Sequence, residues 1–338
     1  MKKSCFAIVC LFCCGTLFAQ QKPQYTQYML NNYILNPALS GIESYTDIKL
    51  SHRHQWVGLD GAPVTTYLTV NMPIGKDDNR TTTSTVPKVG ENPRGKSYWE
   101  NYEAAKPHSG IGLNVIDDHT GPLNNFAAYI TYAYHIGLSP KTNLAAGFGA
   151  GITNMSLDRG KLFFETPVDP AVYNSGDINT IKPDFNAGIW LYSSDFYVGV
   201  SAQQIIPQRV SFIDKEVVPY YGKMVPHFFA TAGYRFLLND DVNLIPSVMV
   251  KYVSPLPVQI DFNVKLLYQD FLWIGASKRT YDGFAAMIGV NASSSINIGY
   301  SYDLTTSRLN TVSSGSHEII VGFLLGNKYG DWCPKRVW

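Results

Sequence analysis

Beyond residue 14 this chain has a single cysteine, Cys333, so no intramolecular disulfide framework holds its body together; the other four are Cys5, Cys10, Cys13 and Cys14. Nor is there an excess of one charge. With 27 Lys and Arg against 26 Asp and Glu, the net charge is +1, which offers no basic field for nucleic acid or an acidic polymer. After Phe18 no uninterrupted apolar run is long enough to cross a bilayer as a helix. Charged residues are only 16% of the chain, whereas 22 Tyr, 17 Phe and 6 Trp make up 13% and there are 28 Gly. A Tyr-rich, Gly-rich, charge-poor composition suits a transmembrane β-barrel, with aromatics at the lipid interfaces and apolar side chains toward the acyl chains. A soluble β-sandwich alternates in the same way, but its strands usually run shorter than those below.

The start of the chain points to export. Lys2 and Lys3 precede an apolar run from Ser4 to Phe18, and Leu17-Phe18-Ala19 places a small residue before Gln20. That is the layout of a cleavable signal peptide over residues 1–19, with an apolar core too short to span. Lipoprotein processing at Cys14 fits less well, because Cys13 precedes it and the remaining apolar core would be very short. Residues 20–45 are then an N-terminal periplasmic segment and a possible plug, with Tyr25–Tyr33 a possible short helix. Residues 46–326 form the barrel, and 327–338, with Cys333, a C-terminal tail.

Within the barrel the polarity alternates over segments of about ten residues, the spanning length of a tilted strand. Val258, Ile260, Phe262, Val264, Leu266 and Tyr268 share one face; Gln259, Asp261, Asn263 and Lys265 share the other. Ile296, Ile298, Tyr300 and Tyr302 repeat the pattern against Asn297, Ser301 and Asp303. The reading yields about fourteen antiparallel strands: 47–57, 64–73, 109–117, 124–137, 143–156, 185–192, 196–205, 228–238, 242–253, 258–268, 271–279, 284–292, 296–305 and 317–325. An even number is what single-chain bacterial outer-membrane barrels use.

The connections supply an orientation. Ser139-Pro140-Lys141, Ser193-Ser194-Asp195, Asn239-Asp240-Asp241, Gln269-Asp270 and Ser293-Ser294-Ser295 are short turn-formers that all fall at one end. With a periplasmic N-terminus, that end is periplasmic, and the long segments 157–184 and 206–227 are extracellular. The segment 74–108 departs from this rule as a long periplasmic insertion, low in complexity in its first half. Its Tyr98, Trp99 and Tyr102 are candidate anchors for a periplasmic partner, though an insertion without a role is tolerated as well.

Candidate chemistry is sparse. His52 and His54 share a strand face but lack a third ligand at suitable spacing. Ser316-His317-Glu318 has triad residue types, yet adjacent strand residues point to opposite faces. Gly147-Phe148-Gly149-Ala150-Gly151 lacks the lysine of a phosphate loop and reads as a thin strand wall with close neighbours. Asp117-Asp118-His119 reads as a turn. No catalytic, metal or cofactor site is predicted. Eight charged residues do fall inside predicted strands: Arg53, Arg235, Lys251, Asp261, Lys265, Arg279, Asp303 and Glu318. A Lys or Arg on the lipid face at mid-depth costs about 2–4 kcal/mol, so these residues are expected to face the lumen as a polar network of paired charges.

Short motifs then accumulate in order along the chain. Gln27-Tyr28-Met29, Asn36-Pro37-Ala38, Arg53-x-Gln55-Trp56-x-Gly58 and Ala62-Pro63 resemble the start of the PorP/SprF family. Pro183-Asp184-Phe185 with Gly188, Tyr197-x-Gly199, Pro246-Ser247 with Lys251, and Gln259-x-Asp261-x-Asn263 continue the likeness. So do Trp273-x-Gly275 with Arg279, Gly299-Tyr300-x-Tyr302-Asp303, and Gly315-Ser316-His317-Glu318. The resemblance implies an integral outer-membrane, non-enzymatic component of type IX secretion. Its implied partners are the secretion machinery and secreted cargo such as gliding-motility adhesins. A porin-like or small-hydrophobe transporter, and an adhesive surface protein, are the competing readings.

Overall fold

Strands of alternating polarity have two incompatible faces, and closing the sheet satisfies both while leaving no unpaired edge. The computed structural model describes residues 23–76, 103–161, 179–210, 222–239, 241–269, 271–293 and 295–326. In chain order the strands are β1 (Thr46–His54), β2 (Val64–Ile74), β3 (His108–Thr120), β4 (Leu123–Ser139), β5 (Thr142–Leu157) and β6 (Asn179–Tyr192). Then follow β7 (Phe196–Gln203), β8 (Gln208–Val210), β9 (Gly222–Met224), β10 (His227–Tyr234), β11 (Phe236–Leu237) and β12 (Val242–Val253). The last are β13 (Gln259–Tyr268), β14 (Leu272–Arg279), β15 (Gly283–Val290), β16 (Ile296–Thr305) and β17 (Ser316–Leu325).

Each barrel strand pairs antiparallel with its chain neighbour, and β1 closes against β17 with Thr46 opposite Leu325 and His54 opposite His317. β8 and β9 form a separate two-stranded sheet, and β11 prolongs β10 along β12, so the closed wall has fourteen strands. The expected strand number and closure are therefore what the chain forms. No helix among the described residues is long and apolar enough to cross a membrane. The outward face carries Ile130, Phe148, Ile189, Phe262, Ile274, Phe284 and Ile319, all well exposed, as a lipid-facing band requires.

Four local readings change. Asp117, Asp118 and His119 lie within β3, and the turn comes later at Gly121-Pro122, where Gly121 has φ +57°. The strand continues because its polar side chains find neighbours: Thr65 Oγ1 donates to Asp118 Oδ1 at 2.5 Å, and His119 Nε2 meets Asp117 Oδ2 at 2.9 Å. β6 begins at Asn179 rather than Phe185. Pro183 is tolerated there because β6 pairs with β7 only from Ala187 onward, so no ladder bond on that side needs its missing N–H. β1 stops at His54, where Trp56 (φ +45°) and Gly58 (φ +100°) turn the chain out of the sheet. Arg235 interrupts the strand expected over 228–238, and its own N–H bonds to the Asp195 carbonyl instead.

Candidate functional site

The lumen is occupied by the chain's own N-terminal segment. Residues 24–45 are largely buried and form three short 3-10 turns, Gln27–Leu30, Asn32–Ile34 and Pro37–Leu39, joined end to end. The segment enters β1 at the end with the short turns, yet Gln24 reaches Arg279 near the opposite, long-loop end. The segment read as periplasmic, and as a possible plug, thus runs the length of the lumen.

At the long-loop end its hold is electrostatic. Arg53 Nη2 contacts Asp303 Oδ2 at 2.6 Å, and Arg53 Nη1 contacts Glu318 Oε2 at 3.2 Å. The same carboxylates accept from the segment: Thr26 N–H donates to Glu318 Oε2 at 2.7 Å and Thr26 Oγ1 donates to Asp303 Oδ2 at 2.6 Å. Arg279 extends the cluster through Asp261 (3.2 Å) and Asp282 (2.7 Å), and its Nη1 donates to Gln24 Oε1 at 3.3 Å. Buried charges are tolerated only when paired and hydrogen-bonded, and here the backbone of the plugging segment completes the coordination. The network therefore does more than brace the wall.

All eight charged residues picked from the sequence are buried. The structure brings Arg53, Asp261, Arg279, Asp303 and Glu318 into one cluster. Lys251 stands beside it, near Asp261 and Arg279. Arg235 and Lys265 lie apart: Arg235 is in the break between β10 and β11, and Lys265 is opposite Ile245 and Gly275. Tyr98, Trp99 and Tyr102 lie outside the described residues, as do residues 1–22 and Cys333.

Farther down, the wall is thinned to admit the segment. Asn36 caps the turn Pro37–Leu39, its Oδ1 accepting from Ala38 N–H at 2.9 Å. Its Nδ2 donates to the carbonyls of Ile189 and Val200 on β6 and β7. Pro37 sits at the first turn position, where a missing N–H costs nothing. These roles account for the Asn-Pro-Ala triplet. Gly147 on β5 is needed because a Cβ there would lie 2.6 Å from Ala38 N and Cα. Ser201 Oγ and Gln203 Nε2 donate to the Leu35 carbonyl at 2.7 and 2.8 Å, and Tyr33 and Ser40 both bond Thr131. These small lumen-facing polar residues are not among the predicted site residues, because a search for charge does not find them; the period-two alternation of Thr and Ser opposite bulky apolar positions is the signal that marks them.

At the short-turn end, His135 Nε2 bonds the Ser40 carbonyl at 2.8 Å and His108 Nε2 the Gly41 carbonyl at 3.2 Å. The two imidazoles stack 4.5 Å apart. Lys76 Nζ donates to the Ile42 carbonyl at 2.7 Å, and Ala104 N–H to the Pro140 carbonyl at 2.7 Å, so both described ends of the insertion lie against this foot.

The motifs set aside as chemistry sit as strand geometry dictates. His52 and His54 are exposed on the outer face of β1. Ser316 and Glu318 point inward, whereas His317 faces outward and meets Tyr300 Oη at 2.7 Å. No group of three potential metal ligands occurs among the described residues. Among the described residues, cavities against the plugging segment hold about 10, 20 and 30 Å³, and one at the long-loop rim about 160 Å³, below the 300–1,000 Å³ usual for ligand pockets.

A model of the family described as "Type IX secretion system membrane protein PorP/SprF" matches residues 17–323. No curated protein matches. Among solved structures, the Ralstonia pickettii toluene transporter TbuX is similar at 10% identity and TM-score 0.48, with 88% of this chain and 92% of that one covered. The Pseudomonas putida toluene transporter TodX is similar at 11% identity and TM-score 0.48, with coverage of 87% and 93%. A Pseudomonas aeruginosa FadL homologue is similar at 10% identity and TM-score 0.44, with coverage of 90% and 95%.

Proposed function

The chain belongs to the PorP/SprF family of type IX secretion system membrane proteins, and from that premise we propose that it is a closed accessory barrel of the outer membrane. In this reading it supports secretion or surface anchoring of particular cargo, such as gliding-motility adhesins, in contact with the secretion machinery. One observation carries it: the lumen is filled from the Gln24–Arg279 contact at one end to the Gly41–His108 contact at the other. A barrel blocked along its axis by its own covalently attached chain is suited to being a docking platform rather than a pore. The residues before 20 act as the cleaved export signal.

Deletion of the gene, followed by a proteomic survey of medium and cell surface, tests the reading. Proteins bearing a type IX signal are expected to be lost from the surface or medium; an unchanged survey removes the proposal. Reconstitution in a planar bilayer discriminates the porin-like alternative, because the intact chain is expected to give no stable open state. A steady large conductance would favour the transporter instead.

Tyr98, Trp99 and Tyr102 are proposed to anchor a periplasmic partner. Removing residues 77–102 is expected to leave a heat-modifiable barrel while weakening pull-down of that partner. Unaltered pull-down would reduce the segment to a tolerated insertion.

A further inference from the structure

Lys251 is a charged lumen residue beside the cluster that makes no ion pair with it. It is 6% exposed, on the inward face of β12 at the long-loop end. Its charged neighbours are Asp261 and Arg279, and they satisfy each other: Arg279 Nε holds Asp261 Oδ2 at 3.2 Å. Arg279 also opposes the ammonium as a like charge. The side chain is buried while its ammonium borders open space, so its protons are free for an acceptor that enters there.

The amine borders two adjoining cavities, both also lined by Gln259. The inner one, about 30 Å³, lies against the plugging segment at Tyr25, Tyr28 and Leu35. The outer one, about 160 Å³, is bounded by Val253, Leu256, Pro257 and Tyr281. An apolar cavity of about 150 Å³ is large enough for benzene. The outer cavity is mostly apolar, with Lys251 and Gln259 at its neck, while Asp261 and Arg279 border the inner one. We infer that this site binds a small amphipathic carboxylate, its anionic head on Lys251 and Gln259 and a benzene-sized or short acyl body between Leu256, Pro257 and Tyr281. The ammonium supplies the charge-assisted hydrogen bond, and the apolar walls take the body of the ligand.

The test uses the full chain in lipid nanodiscs and isothermal titration with benzoate, against empty nanodiscs. Benzyl alcohol serves as the uncharged analogue and acetate as the anion without a body. Benzoate is expected to bind at least about tenfold more tightly than either, the scale of one hydrogen bond to a charged group. Lys251→Met is expected to remove the preference for benzoate over benzyl alcohol, and Lys251→Arg to retain it. Leu256→Trp, in the connection outside the strands, fills the cavity without touching the charge cluster. It is expected to abolish binding in a barrel that stays heat-modifiable, so the question remains answerable if Lys251→Met fails to fold. Equal binding of benzoate and benzyl alcohol, or benzoate binding undiminished in Leu256→Trp, would overturn the inference.

Discussion

Arg53→Met is expected to destabilise the folded protein by about 3–5 kcal/mol, the cost of breaking a buried ion pair from one side. The substitution leaves Asp303 and Glu318 buried with one fewer guanidinium between them, 8% and 0% exposed respectively. Glu318 would retain the Thr26 and Gln27 N–H groups and the Ser51 hydroxyl, and Asp303 the Thr26 hydroxyl, with Arg279 at 3.9 Å its remaining cation. The loss should be visible as a lower denaturant midpoint in lipid vesicles, followed by tryptophan fluorescence. Combining Arg53→Met with Asp303→Asn and Glu318→Gln is expected to recover most of it, because the uncompensated charge is what costs, not the missing contact. A single-variant loss below about 1 kcal/mol would mean that solvent reaches this cluster and that the charges are not a buried unit.

Gly147→Ala is expected to open the barrel. The added methyl carbon would fall 2.6 Å from two backbone atoms of Ala38, and backbone cannot swing aside as a side chain can. The turn Pro37–Leu39 must move, and with it the bonds from Asn36 to the Ile189 and Val200 carbonyls. Overpacking of this kind costs about 1–3 kcal/mol. In a planar bilayer the variant is expected to show openings that the intact protein lacks. Gly149→Ala is the control, since its methyl would meet the Thr131 side chain first, at 3.1 Å, where a small adjustment suffices. Equal behaviour of the two variants would show that the segment does not seal the lumen by contact with β5.

Much of the wall was legible in advance because a strand's side chains alternate with period two. Phe262 and Val264 face out and Asp261, Asn263 and Lys265 face in, as the pattern of β13 requires. The readings that changed were those that depended on a neighbour. Asp117-Asp118-His119 is a typical turn composition, and only the pairing of β3 with β2 and β4 keeps it extended. Pro183 looks like a strand breaker until its position beyond the end of β7 is known. The eight charges were found because charge on the lipid face is prohibitive, and that argument gives a direction without giving a partner.

What the sequence by itself determined is a closed wall of about fourteen strands, greasy outside and polar within. Local periodicity and the cost of charge in lipid decide that, and neither needs a long-range contact. What only the tertiary structure decided is what fills the wall. Thr26 and Asp303 are 277 residues apart and Asn36 and Val200 are 164 apart, so no spacing along the chain announces that they meet. The three short turns of residues 27–39 have no amphipathic period of their own. Their shape is set by the lumen they occupy, through the charges that end them and the glycines that make room.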